Sequence, residues 1–200
     1  MLSPVAYIFL KNSFFGLLHF DLLGMISYLF FIPLILSLYI VLKQKYESII
    51  LIATVIFFVG VAVFYSSNTS FSMLSLSKQY LIAQTEAEKM MILSAFQSMV
   101  TLFKVNAFMI SYILVSLSWL IISFIMLISK LFSRNLSCYG IIAGATGIIA
   151  EICENTSKSL LIAAIAFYFA AIVFLFLWVI LTGKQLLSFS TNIGENLNKV

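Results

Sequence analysis

The sequence predicts an all-α fold, a bundle of about five membrane-spanning helices with further amphipathic or partial-depth helices. Three observations carry that reading. Hydrophobic residues make up 63% of the 200-residue chain and charged residues only 9%, against roughly 25% charged in a soluble domain, so polar groups cannot cover a water-facing surface. Apolar runs of about twenty residues recur, the length needed to cross a hydrocarbon core at the helical rise. None of these runs alternates with the period of a barrel strand, and backbone groups in lipid must be paired within their own segment, which leaves helices.

Taken in order, residues 1–20 are interrupted by Pro4, Lys11, Asn12 and His19. That is too broken for a crossing and lacks the basic start of a signal peptide, so an interfacial helix is expected. Residues 22–42 form a first span, with Pro33 placed to kink it by removing a backbone donor. Residues 49–66 form the second, stopped by the polar run from Ser66 to Ser70. Residues 71–103 form an amphipathic segment in which Leu76, Tyr80, Ala83 and Ala87 recur at helical steps. Within it, Thr85-Glu86-Ala87-Glu88 has the spacing of a capping box and predicts a new helix starting at Glu86. Lys104 and Asn106 read as a break before a third span at 105–128. The fourth, at 136–153, is Gly-rich, and the fifth covers 160–181. A polar tail occupies 188–200. The whole reads as a single membrane domain.

Charge sets an expected orientation. Lys43, Lys45, Lys130, Arg134 and Lys184 cluster beside the ends of spans on one side, which the positive-inside tendency assigns to the cytoplasm. A cell-membrane protein with its N-terminus outside and its C-terminus cytoplasmic follows. The formal charge of +4 is spread over loops without an aromatic-basic cluster, which gives no support to a nucleic-acid partner. The expected partners are the lipid bilayer and a second copy or another membrane protein. Cys138 and Cys153 would lie about 22 Å apart along one helix and cannot pair within it. Together with a single histidine they offer no set of metal ligands, and no catalytic or cofactor-binding group is assigned.

Several residues stand out against this background. Glu151 and Glu154 share a helix face near the membrane boundary, and an intramembrane acid is a candidate proton or cation site. The plainer reading, prompted by Asn155, Thr156 and Ser157 just after them, is a solvated pair at the outer interface. Gly140, Gly144 and Gly147 form a small-residue face that allows close helix approach. Opposite it in character, Tyr112, Ser116, Trp119 and Ser123 line one face of the third span as a helix contact. In the amphipathic segment, Leu76, Tyr80 and Ala83 are expected at the headgroup boundary, and Met90, Leu93 and Phe96 are expected to turn inward as a cap on the bundle. His19 and Asp21 read as an interfacial hydrogen-bonded pair, since no nucleophile or second histidine accompanies them. The methionines read as packing, and the three Asn-X-Ser triplets as chance matches.

Three stretches carry a resemblance: NTSFSMLSLSKQYLIAQTEAEKMMILSAFQSM from Asn68 to Met99, SFIMLISKLFSRNLSCYGIIAG from Ser123 to Gly144, and LWVILTGKQLL from Leu177 to Leu187. They are similar to the surface segment, the basic loop with its following Gly-rich helix, and the closing helix of a family of uncharacterised bacterial multi-pass membrane proteins, a domain of unknown function. The resemblance covers roughly residues 21–187. It implies one further spanning helix ahead of the position of Met1, and a carboxylate where this chain has Ala95-Phe96-Gln97-Ser98. It implies no catalytic or ligand residue. The expected function is therefore non-enzymatic: packing with a partner, or sensing of the bilayer. The alternative is a small transporter or channel with a polar path near Glu151, lined by the serine face of the third span.

Overall fold

The computed structural model describes residues 22–197. The interfacial helix expected over 1–20 and the His19–Asp21 pair lie outside the described residues. Those described are helical nearly throughout, without strands: α1 (Leu22–Ser67), α2 (Ser70–Ile82), α3 (Glu86–Leu102), a π-helical stretch (Phe103–Ile110), α4 (Ser111–Ser129), α5 (Arg134–Thr156), a 3-10 turn (Lys158–Leu160) and α6 (Leu161–Leu197). Among the described residues, four helical stretches are long and apolar enough to cross a membrane: Gly24–Ile82, Glu86–Ser129, Arg134–Thr156 and Leu161–Phe189.

The described residues fall into two compact units, 22–30 with 61–111, and 31–60 with 112–197. In the first, the two ends of α1 lie side by side: the Tyr65 hydroxyl donates to the Met25 carbonyl at 2.5 Å, and the Tyr28 and Phe64 rings are 4.8 Å apart. A straight helix of 46 residues would put those ends about 69 Å apart at 1.5 Å per residue. The chain therefore reverses within α1. The reversal is at Tyr46, whose φ of −132° and ψ of 41° leave the helical region. Pro33, where the sequence predicts the kink, keeps helical angles, and its carbonyl accepts from the Ser37 hydroxyl at 2.8 Å.

Also in this unit, α2 and α3 form an antiparallel pair. The capping box at its turn is complete: Thr85 Oγ1 accepts from the Glu88 amide at 3.2 Å, and Glu88 Oε2 accepts from the Thr85 and Gln84 amides. Met73, Ser77 and Phe96 are buried, and the Thr69 hydroxyl donates to the Met99 carbonyl at 2.9 Å. Of the residues expected in the cap, Phe96 is buried, Tyr80 and Leu93 are half-buried, and Met90 is 67% exposed. Geometry explains the spread: Leu93 lies about 60° from Phe96 around the helix, whereas Met90, six residues away, lies about 120° from it. The expected break at Lys104 and Asn106 is instead a π-helical stretch that joins α3 to α4 without interruption.

The second unit is organised around α4, α5 and α6. Ser118 of α4 donates to the Ala53 carbonyl of α1 at 2.8 Å, and Phe31 packs on Trp119 with ring centroids 5.3 Å apart. Four residues join α4 to α5. Lys130 ends α4 in the left-handed region (φ 59°), and the Ser133 side chain caps α5 by accepting from the Leu136 amide. Two hydrogen bonds hold this turn: Ser129 Oγ accepts from the Leu131 amide, and Gln185 of α6 donates to the Leu131 carbonyl at 3.1 Å. The polar tail does not leave the last span at Leu181; α6 continues as helix to Leu197.

Candidate functional site

The residues that gather polar chemistry lie where the C-terminal end of α5 meets the N-terminal half of α6. Glu151 and Glu154, one helical turn apart on α5, both point at Tyr168 of α6. The Tyr168 oxygen lies 2.7 Å from Glu151 Oε1 and 2.7 Å from Glu154 Oε2. Asn155 closes the other side of Glu151, donating from Nδ2 to its main-chain carbonyl at 2.8 Å and to Oε2 at 3.4 Å. Tyr112 of α4 meets the Tyr168 ring edge-on at 5.9 Å. Glu151 is 2% exposed, whereas Glu154 faces outward. The two acids of the pair therefore differ in burial, and Glu151 is not at the surface.

Hydrogen counting defines what this group can do. A tyrosine hydroxyl has one proton, so it donates to one carboxylate only. A second contact of 2.7 Å to another carboxyl oxygen is met when that carboxyl is itself protonated and donates to the phenol oxygen, because two carboxylates sharing one hydroxyl would repel. One proton shared among Glu151, Tyr168 and Glu154 would satisfy both contacts.

The glycine face lies alongside. Gly140, Gly144 and Gly147 are buried against α4. A Cβ at Gly144 would sit 2.7 Å from the Ser116 carbonyl oxygen and 2.9 Å from the Leu120 amide, and one at Gly147 would sit 2.7 Å from Ser116 Oγ. At Gly140 it would strike Ser123 Oγ and come within 2.7 Å of the Trp178 indole. The glycines of α5 and the serine face of α4, picked out separately in the sequence, meet each other here. Close approach of two backbones at these positions is what absent side chains permit.

Sequence reasoning found Glu151, Glu154, the glycines and the serine face, but missed Tyr168, Asn155 and Trp178 as partners. A signal for Tyr168 was present: it carries the one hydroxyl in the apolar run from Leu160 to Leu181, and a buried tyrosine hydroxyl needs a partner.

The sequence of residues 10–183 matches the family described as "Domain of unknown function (DUF4386)". The chain belongs to the DUF4386 family. No curated protein and no solved structure matches it. The match covers α1 through most of α6, so the acid–tyrosine group and the glycine face both lie inside the DUF4386 region.

Proposed function

We propose that this DUF4386 chain is a non-enzymatic, five-span protein of the cell membrane whose action is linked to a proton held by Glu151, Tyr168 and Glu154. The observation that carries the proposal is the pair of 2.7 Å contacts made by one hydroxyl to two carboxyl groups, one of them buried. An ionisable group in a membrane helix is costly to keep, which makes it a functional candidate by default. Five crossings follow if the reversal at Tyr46 divides α1 into two legs, followed by the spanning part of Glu86–Ser129, by α5 and by α6. An odd number places the two ends on opposite sides. With the short basic loops inside, the end ahead of α1 lies outside and the C-terminus is cytoplasmic.

Infrared spectroscopy of the protein in lipid tests the proton directly. The expected spectrum contains a protonated-carboxyl band at neutral pH that disappears in Glu151→Gln and shifts in Tyr168→Phe. A spectrum without that band would remove the proposal. A second reading, association with a membrane partner or another copy, or bilayer sensing, is favoured by the α2–α3 turn, where Leu81, Ile82, Met90 and Met91 are all exposed, Ile82 at 78%. It gains if Met90→Glu changes oligomeric state or lipid dependence while no carboxyl band is seen.

A further inference from the structure

We propose that the end of the second unit formed by the Tyr46 turn, the α4–α5 turn and α6 beyond Thr182 is a binding surface for anionic phospholipid headgroups. Lys43, Lys45, Lys130, Arg134 and Lys184 supply the charge, and the apolar side chains behind them receive the acyl chains. Neither the proton reading of Glu151 nor the count of crossings enters the argument.

Separate stretches of the sequence bring these cations to one place. Tyr46, at the reversal of α1, donates from its hydroxyl to the Ile128 carbonyl near the end of α4, 3.4 Å away, and the Lys45 ammonium stands over the ring of the same tyrosine at 5.5 Å. Lys43 stands over the Tyr39 ring at 5.6 Å. Lys130 and Arg134 flank the turn that joins α4 to α5. Gln185 donates to the Leu131 carbonyl within that turn, and Phe189 packs on Phe132 with ring centroids 5.6 Å apart, so Lys184 is held beside the other two segments. All of these residues belong to the second unit.

The charge gathered there is not neutralised by the protein. All five side chains are exposed, and none has an ion-pair partner among the described residues, where the one ion pair joins Lys89 to Glu86. Glu47, just past Lys45, is the acid that stands beside them. The next acid on α6, Glu195, is eleven residues beyond Lys184. That is about 16 Å of helix, farther than the ~8–10 Å over which exposed charges act in physiological salt. The start of α5 opens at the same end, and its free amides add partial positive charge. Such a surface calls for an anion.

A lipid fits it better than a free anion does. Exposed apolar residues lie within one helical turn of the cations: Ile40 ahead of Lys43, Ile128 ahead of Lys130, and Ile180 ahead of Lys184. A soluble phosphate would engage the ammonium and guanidinium groups alone, whereas a phospholipid presents a phosphate and hydrocarbon together. Tyrosine rings with lysine ammonium groups over them suit a boundary where one part of a side chain is wet and the other apolar. Basic clusters beside spanning helices attract anionic lipids, each cation near the surface strengthening binding by about fivefold.

Native mass spectrometry of the full chain in neutral detergent tests the surface, with phosphatidylglycerol and phosphatidylcholine of identical acyl chains offered in equal amounts. Phosphatidylglycerol should be retained several-fold more, and Lys45→Gln with Lys130→Gln should weaken its retention by about fivefold per charge removed. Arg134→Gln with Lys184→Gln is a second, independent pair on the same surface and should do likewise. Lys78→Gln with Lys104→Gln removes as much charge from the first unit and should leave retention unchanged. Equal retention of the two lipids would overturn the proposal. So would an equal loss in the control pair, which would show a response to net charge alone. Inorganic phosphate, compared with acetate at equal ionic strength, separates the two sources of the anion: if phosphate strips the phosphatidylglycerol, the surface is a free-anion site and the lipid assignment fails.

Discussion

At the scale of single residues, Tyr168 matters most because it serves two carboxyl groups from one oxygen. Tyr168→Phe keeps the ring and its contact with Tyr112 but leaves the carboxyls facing each other unbridged, which should cost about 1–3 kcal/mol, the usual penalty for orphaning a buried polar group. Glu151→Gln in the same background should recover part of that loss, because a neutral amide costs less to bury than a carboxyl that has lost its bridging hydroxyl; thermal melts of the single and double variants in detergent measure both. Lys130 gives a second residue-scale test. Its φ of 59° lies where a side chain crowds the following carbonyl, a strain of about 1 kcal/mol that glycine relieves. Lys130→Gly should therefore raise the melting temperature slightly, and a clear fall would show that the lysine side chain contributes more than its backbone costs.

Among the elements, α5 is held by what it lacks. Every glycine on its packed face meets α4 or α6 at a distance no side chain tolerates. Gly144→Leu would have to push back the backbone at Ser116 and Leu120, so the expected result is a melting temperature many degrees lower or loss of the folded protein; an unchanged melting curve would mean α4 and α5 are not packed this way. Gly183, with open space around it, is the control, and Gly183→Ala should be tolerated. The α2–α3 turn is held by its capping box instead. Thr85→Ala removes one of the reciprocal bonds and should destabilise α3 by roughly 0.5–2 kcal/mol. Hydrogen exchange at the amides of Glu86 to Lys89 reports that loss locally, even where global stability hardly moves.

For the molecule as a whole, the proposed five crossings predict that a reporter fused after Lys184 is cytoplasmic and one fused in the α2–α3 turn is outside. Both on one side would mean an even number of crossings between them and would overturn the orientation. Much of this organisation was legible in the sequence. The apolar runs, the capping box at Thr85, the glycine face and the serine face each follow from local spacing, because helical periodicity and capping are short-range properties. The sequence also set the all-helical class, since apolar runs without the alternation of a barrel strand can satisfy their backbone in lipid only as helices. Other features needed the tertiary structure. The reversal at Tyr46 falls in the gap that the apolar runs leave between residues 42 and 49, but that Pro33 keeps helical angles, that a π-helical stretch carries α3 into α4, and that the last helix runs on to Leu197 are seen only in the structure. The acid group is the clearest case. Spacing alone puts Glu151 and Glu154 on one face, but whether that face meets water or Tyr168 depends on how α6 packs against α5, a contact between residues 14 and 17 positions apart. Local sequence fixes which side chains share a helix face; only the packing of helices decides what that face meets.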